Sequence, residues 1–155
     1  MVSAHEVRGT VYVEKLARYE QRLEIPVVPG ELIDWLDAVS RVATDVAVDF
    51  RQRLRKAHAE LFAVILERDL ALAARVEEMK HEGVRLAQQA RRIANAFERL
   101  AKDCRAEEPD EANLLEEVQR YSAEALSMII GVRKLDSAVT TWYMEAFDRD
   151  RGIVD

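Results

Sequence analysis

The chain is predicted to be all-α: an antiparallel up-down-up-down four-helix bundle, with residues 1–155 forming one domain. Three observations carry this expectation. Apolar residues recur at steps of three and four along four long segments, the spacing of one helix face. Five glycines and three prolines in 155 residues supply too few turns for a sandwich or barrel. Ala, Leu, Glu, Arg and Val dominate, and together they favour helix.

The first helix is expected over residues 3–24, where His5, Gly9, Tyr12, Leu16, Tyr19 and Leu23 share one side. Gly9 weakens its first turns, so order is expected from near Thr10. The segment IPVVPG (25–30) ends it, because each proline turns its preceding residue away from helical geometry. The second helix is predicted over 31–68, about 55 Å long. Its inward stripe reads Leu32, Leu36, Val39, Ala43, Val46, Phe50, Leu54, Ala57, Leu61, Ile65.

Asp69 suits the N-cap of a third helix, its carboxylate accepting from free amides of the next turn. That helix covers 70–104 with the stripe Leu72, Val76, Met79, Gly83, Leu86, Ala90, Ile93, Phe97, Leu100. RAEEPDEAN (105–113) breaks the pattern and brings acidic residues to a helix start. The fourth helix, 111–148, runs Leu114, Val118, Tyr121, Ala125, Met128, Val132, Leu135, Val139, Trp142, Ala146. Short connections make sequential helices antiparallel neighbours.

Composition excludes several classes of function. A net charge of −6 argues against nucleic-acid or anionic-membrane partners. Arg51, Arg53, Arg55 and Lys56 form a local basic run that reads as a solvated face, with Asp49 and Glu60 in helical reach. The single cysteine, Cys104, excludes an internal disulfide and fits a reducing cytoplasm. MVSAHEVRG lacks the apolar run of a signal peptide, and no stretch has the roughly 20 apolar residues that span a bilayer. No GxGxxG, P-loop, GxSxG or HExxH occurs, so no enzymatic reaction is indicated.

Counting outward from each turn brings His5, Leu54, His58, Gly83, Gly131, Val132 and Asp136 to one level. The layer is unusual. Both glycines deep inside helices fall there, each about 1 kcal/mol less favourable than alanine. So do three polar residues on or beside apolar stripes. Gly83 and Gly131 either permit close backbone approach or frame a small pocket. His58, at the edge of its stripe, is either a half-exposed hydrogen-bonded side chain or a ligand. Asp136 either pairs with Arg133 or joins it, and His81 points to solvent.

HAELFAVILERDLALAARVEEMKHEGVRL (58–86) and EAFDRDRGIVD (145–155) resemble the hemerythrin-like, cation-binding family of bacterial four-helix bundles. That resemblance implies a di-iron centre held by histidines and carboxylates of all four helices, serving dioxygen binding, sensing or redox chemistry. Carried over by position, the third-helix histidine falls on Gly83, after Glu82. The second-helix histidine falls near Arg53 or Leu54, its carboxylate partner near Ala57 or His58, and the fourth-helix histidine near Val132. His5, His58 and Asp136 remain as donors.

The reading is therefore a degenerate, metal-free or metal-poor member acting as an interaction, sensory or regulatory module. The alternative is a residual iron or zinc site on His5, His58 and Asp136, joined by Glu82, with a redox-related role. Val11, Val13, Ile33, Val64, Ile129 and Ile130 lie off or beside the stripes and suit a homodimer or another protein partner.

Overall fold

The structure is a computed structural model that describes residues 4–152, with the side-chain surroundings of Gly9 and residues 11–149. All its regular elements are helical, and they form four rods. The first is Ala4–Glu24. The second begins as Leu32–Arg53, passes through a π turn at Leu54–His58, and continues as Ala59–Arg68. The third, Ala73–Cys104, follows a 3-10 turn at Leu70–Leu72, and the fourth is Glu111–Gly152.

The first rod starts earlier than Thr10, because one internal glycine costs about 1 kcal/mol. That is too little to interrupt a helix anchored by buried Tyr12, Leu16, Tyr19 and Leu23. Gly30 then takes φ +86°, the left-handed region where glycine is at ease, and the Glu31 amide closes a turn on the Val28 carbonyl at 2.9 Å. Trp35 Nε1 donates to the Ile25 carbonyl at 2.8 Å, tying this turn to the second rod. At the next connection Asp69 accepts from the Ala71 amide at 3.0 Å, and near the last one Asp110 accepts from the Asn113 amide at 3.2 Å.

The first rod packs on the first part of the second and on the fourth; the second lies along the third, and the third along the fourth. The part Ala59–Arg68 packs directly on the fourth rod. Ion pairs join these neighbours: Lys15 with Asp49, Arg105 with Asp37, Arg92 with Glu124, Arg99 with Glu117, and Arg133 with Glu20. The core between the rods is led by Tyr19, Leu36, Phe50, Ile65, Phe97 and Met128.

Along the third rod every stripe residue from Leu72 to Leu100 is buried. Along the second, the stripe holds as far as Phe50 and again at Ile65. Beyond it the buried residues are His58, Phe62 and Ile65, while Leu54, Ala57 and Leu61 are half-buried. A π turn holds one residue more than an α turn. Two inward positions therefore slip by one, from Ala57 to His58 and from Leu61 to Phe62, and a histidine takes the place expected for alanine. The backbone stays helical on both sides, with Leu54 at φ −61°, ψ −40° and Ala59 at φ −60°, ψ −40°, so the rod does not break.

Ile129 is buried in the core rather than spare surface. Val11, Val13 and Ile130 are exposed, and Ile33 and Val64 are half-buried. Among the described residues, no helix is long and apolar enough to cross a membrane.

Candidate functional site

Two features stand on either side of the second rod where its π turn lies: a polar layer inside and a groove outside. The layer centres on His58, which is only 2% exposed. Its Nε2 lies 2.7 Å from Asp136 Oδ1, and Arg53 Nε donates to the same oxygen at 3.0 Å. A carboxylate only accepts, so Nε2 donates to it. Nδ1 is buried without a protein partner. The edge of Phe62 closes one side of the imidazole, with ring centres 5.9 Å apart.

The Arg53 guanidinium in turn stacks over the Tyr12 ring, 4.6 Å from its centre. Burial pushes the Tyr12 hydroxyl far above the usual phenol range; the Asp136 charge adds to that, and the Arg53 charge opposes it. The same hydroxyl has no protein partner, and neither does that of Tyr19, whose pKa burial also raises.

Asp136 thus meets His58 and Arg53, and Arg133 turns away to Glu20. Its partner is not the neighbour expected from the sequence, because Arg133 is exposed while Asp136 faces the second rod. Nor is Arg53 part of a solvated face. Asp49, expected to balance the basic run, pairs with Lys15 at 2.5 Å. His58 itself is buried rather than half-exposed, for the reason given by the π turn.

The side chain of His5 lies outside the described residues. Glu82 is drawn outward to Arg85 at 2.5 Å, and that hydrogen bond holds its carboxyl below the usual range. His81 is exposed, as expected. The Cys104 thiol is pushed up by burial and by Glu111, which opposes thiolate formation.

The glycines form notches that leucines fill. A Cβ on Gly83 would come within 2.9 Å of Leu54 Cδ2, and one on Gly131 within 2.8 Å of Leu86 Cδ2. The atoms nearest both positions belong to leucine side chains. The residues present do not fit a di-iron centre. Gly83 offers no donor, its space holds Leu54, Val132 is in the apolar core, and a guanidinium occupies the Asp136 carboxylate. Among the described residues, no cluster of three or more His, Cys, Asp or Glu side chains is placed to hold a metal ion.

The groove lies between the second and third rods and encloses about 730 Å³, within the range of ligand pockets. Its apolar surface comes from Ala47, Val48, Leu54, Ala59, Phe62, Val84, Ala87 and Ala94. Arg51 and Arg55 line it from the second rod, and Lys80 and Arg91 from the third. Glu98 is the one carboxylate in its lining, beside Thr44 and Asn95. Val48 and Val84 stay 50% and 54% exposed there, although valine gains by burial. Leu54 belongs both to the groove wall and to the Gly83 notch, so the missing side chain at Gly83 helps to shape the groove.

Sequence reading missed this groove. The signal was present: Val48, Arg51 and Arg55 share one helix face, and so do Lys80, Val84, Ala87 and Arg91. Compared with family models, with curated proteins and with solved structures, the chain finds no match.

Proposed function

We propose that this protein is a metal-free helical-bundle interaction module, sensory or regulatory in role, whose binding face is the groove between the second and third helices. The observation that carries the reading is the groove itself, an apolar trough of about 730 Å³ rimmed by Arg51, Arg55, Lys80 and Arg91. Arg51, Arg55 and Arg91 form no ion pair among the described residues. Lys80 pairs only loosely with Glu77, at 3.6 Å.

The bundle is read as antiparallel, up-down-up-down. Supporting this, Arg92 meets Glu124 and Arg99 meets Glu117, so numbers rise on one helix as they fall on the other. Tyr12 beside Arg53 and Lys15 beside Asp49 follow the same rule for the first two helices. The hemerythrin-like plan stays part of the proposal on the resemblance of residues 58–86, with the metal positions given over to Leu54, Gly83 and Val132. A single cysteine suits a reducing, cytoplasmic setting.

Fluorescence of an anionic apolar dye, anilinonaphthalene sulfonate, tests the binding face. Bright, saturable binding is expected. It should be lost in the Val48→Asp/Val84→Asp variant while the melting temperature is kept. Absence of binding, or binding that ignores both substitutions, would refute the groove. Metal analysis of protein purified without added metal tests the other half. Stoichiometric iron or zinc that disappears on His58→Ala would replace this reading with a metal-binding one.

A further inference from the structure

We infer that the occupant of the groove is an acidic amphipathic helix of a partner protein. The inference rests on the groove being the binding face and adds what binds there.

Shape comes first. The lining runs from Thr44 to Phe62 on one wall and from Lys80 to Glu98 on the other, about 27 Å of trough. A trough between two helices, lined with apolar side chains, accepts the apolar stripe of a third helix. About five turns would lie along it.

Charge then selects among apolar partners. Cations stand on both walls, and Lys80 and Arg91 are about 16 Å apart along their helix. A single carboxylate or sulfonate headgroup satisfies one or two neighbouring cations and leaves the others bare. A helix with glutamates or aspartates on both flanks of its apolar stripe meets all of them at once. The groove's one carboxylate, Glu98, lies at one end of its wall with Asn95, while Lys80 lies at the other and the neutral Gln88 stands between Lys80 and Arg91; this gives the bound helix a direction, with its anionic turns toward Arg55 and Lys80.

The whole chain carries −6 and repels an acidic partner at long range. Recognition of an acidic helix therefore has to come from these local cations. Arg51, Arg55 and Arg91 suit the task because a guanidinium is weakly hydrated and grips a carboxylate with two parallel hydrogen bonds.

The test uses the full-length protein and fluorescein-labelled peptides of about 18 residues, with a leucine stripe flanked by glutamates and offered in several stripe registers. Control peptides carry lysine at each glutamate. Anisotropy should show at least one acidic peptide binding with a dissociation constant on the order of 10 µM or tighter. Its affinity should fall about tenfold or more as salt is raised from about 0.05 to 0.5 M. The lysine peptides should not bind. In Arg51→Glu/Arg55→Glu/Arg91→Glu the preference should reverse, the lysine peptide binding and the acidic one released, with the melting temperature kept. That reversal separates recognition at the groove from general electrostatics.

Equal binding of both peptide types, or binding of no acidic peptide in any register, overturns the inference. If the dye and oleate bind the groove while every peptide fails, the ligand is an anionic amphiphile and only this inference falls. If dye and peptides all fail, the binding face falls with it. Sedimentation of the protein alone at micromolar concentration covers the remaining occupant: a dimer dissolved by Val48→Asp/Val84→Asp means that a second copy fills the groove, and the partner-helix inference is wrong.

Discussion

The inner and outer faces of one stretch of the second helix, residues 47–62, treat charge in opposite ways. Inside, one carboxylate, one guanidinium and one imidazole meet at a single oxygen, and Arg53 adds an aromatic face. Outside, Arg51 and Arg55 stand beside apolar side chains with no acidic partner among the described residues. Buried charge that is matched serves the fold, because an unmatched one would be too unfavourable to keep. Exposed charge left unmatched beside apolar surface adds nothing to folding and is free to serve recognition. The π turn divides the two faces: by adding one residue it turns His58 inward and leaves Arg55 on the groove side.

The largest expected effect comes from breaking the inner face. Asp136→Ala leaves Arg53 partly buried and His58 fully buried without an acceptor, and should destabilise by about 2–4 kcal/mol in denaturant unfolding. His58→Leu, by contrast, keeps the Arg53–Asp136 pair and removes the orphaned Nδ1, so it should stay within about 1.5 kcal/mol of wild type. If the two variants lose the same stability, the layer is ordinary core packing.

A second break joins the faces. Gly83→Ala brings a Cβ against the movable end of Leu54 and gains helix propensity, so stability should change by less than about 1 kcal/mol. Gly83→Leu has no room, should cost about 1–3 kcal/mol, and should push Leu54 out into the groove and abolish dye binding. Retained dye binding in a folded Gly83→Leu protein would separate the glycine notch from the groove.

The legible part of this fold was its α period. The third stripe is buried from Leu72 to Leu100, the first from Tyr12 to Leu23, and the fourth at all its positions but the half-buried Tyr121 and Trp142, because an uninterrupted helix keeps its inward positions at steps of three and four. The level shared by Leu54, Gly83, His58 and Asp136 was also readable, since short turns let depth be counted from sequence. The slip after Phe50 was not. Nothing in Leu-Arg-Lys-Ala-His favours a π turn locally; its tertiary link is the contact of His58 with Asp136 of the fourth helix. For the same reason Arg53 looked like one more surface cation. The groove was hidden because Arg51, Arg53, Arg55 and Lys56 read as one basic run, whereas the turn of the helix sends Arg53 toward Asp136 and Tyr12 and Arg51 and Arg55 to the outer face.

The smallest effect sharpens the inner face through pH. Tyr12 and Tyr19 have hydroxyls whose pKa burial raises well above that of an unfolded chain. Their contribution to stability is complete below the unfolded value of about 10 and is lost as pH rises beyond it, because only the unfolded phenols then ionise. The unfolding midpoint should therefore fall above about pH 10, and fall less steeply in Tyr12→Phe/Tyr19→Phe. At neutral pH that variant should be as stable as wild type or slightly more so, since both hydroxyls lack partners. Equal alkaline slopes for variant and wild type would mean that these phenols are not shielded from water.

The measurement closest to the centre of this account is the double-mutant cycle of His58→Ala and Asp136→Ala, read by equilibrium unfolding at neutral pH. Side chains that meet at 2.7 Å through an inward histidine should couple by about 1–3 kcal/mol. Additive losses, within about 0.3 kcal/mol, would mean that the second helix runs through without its extra residue. His58 would then lie elsewhere, and the matched interior and unmatched groove would not share a cause.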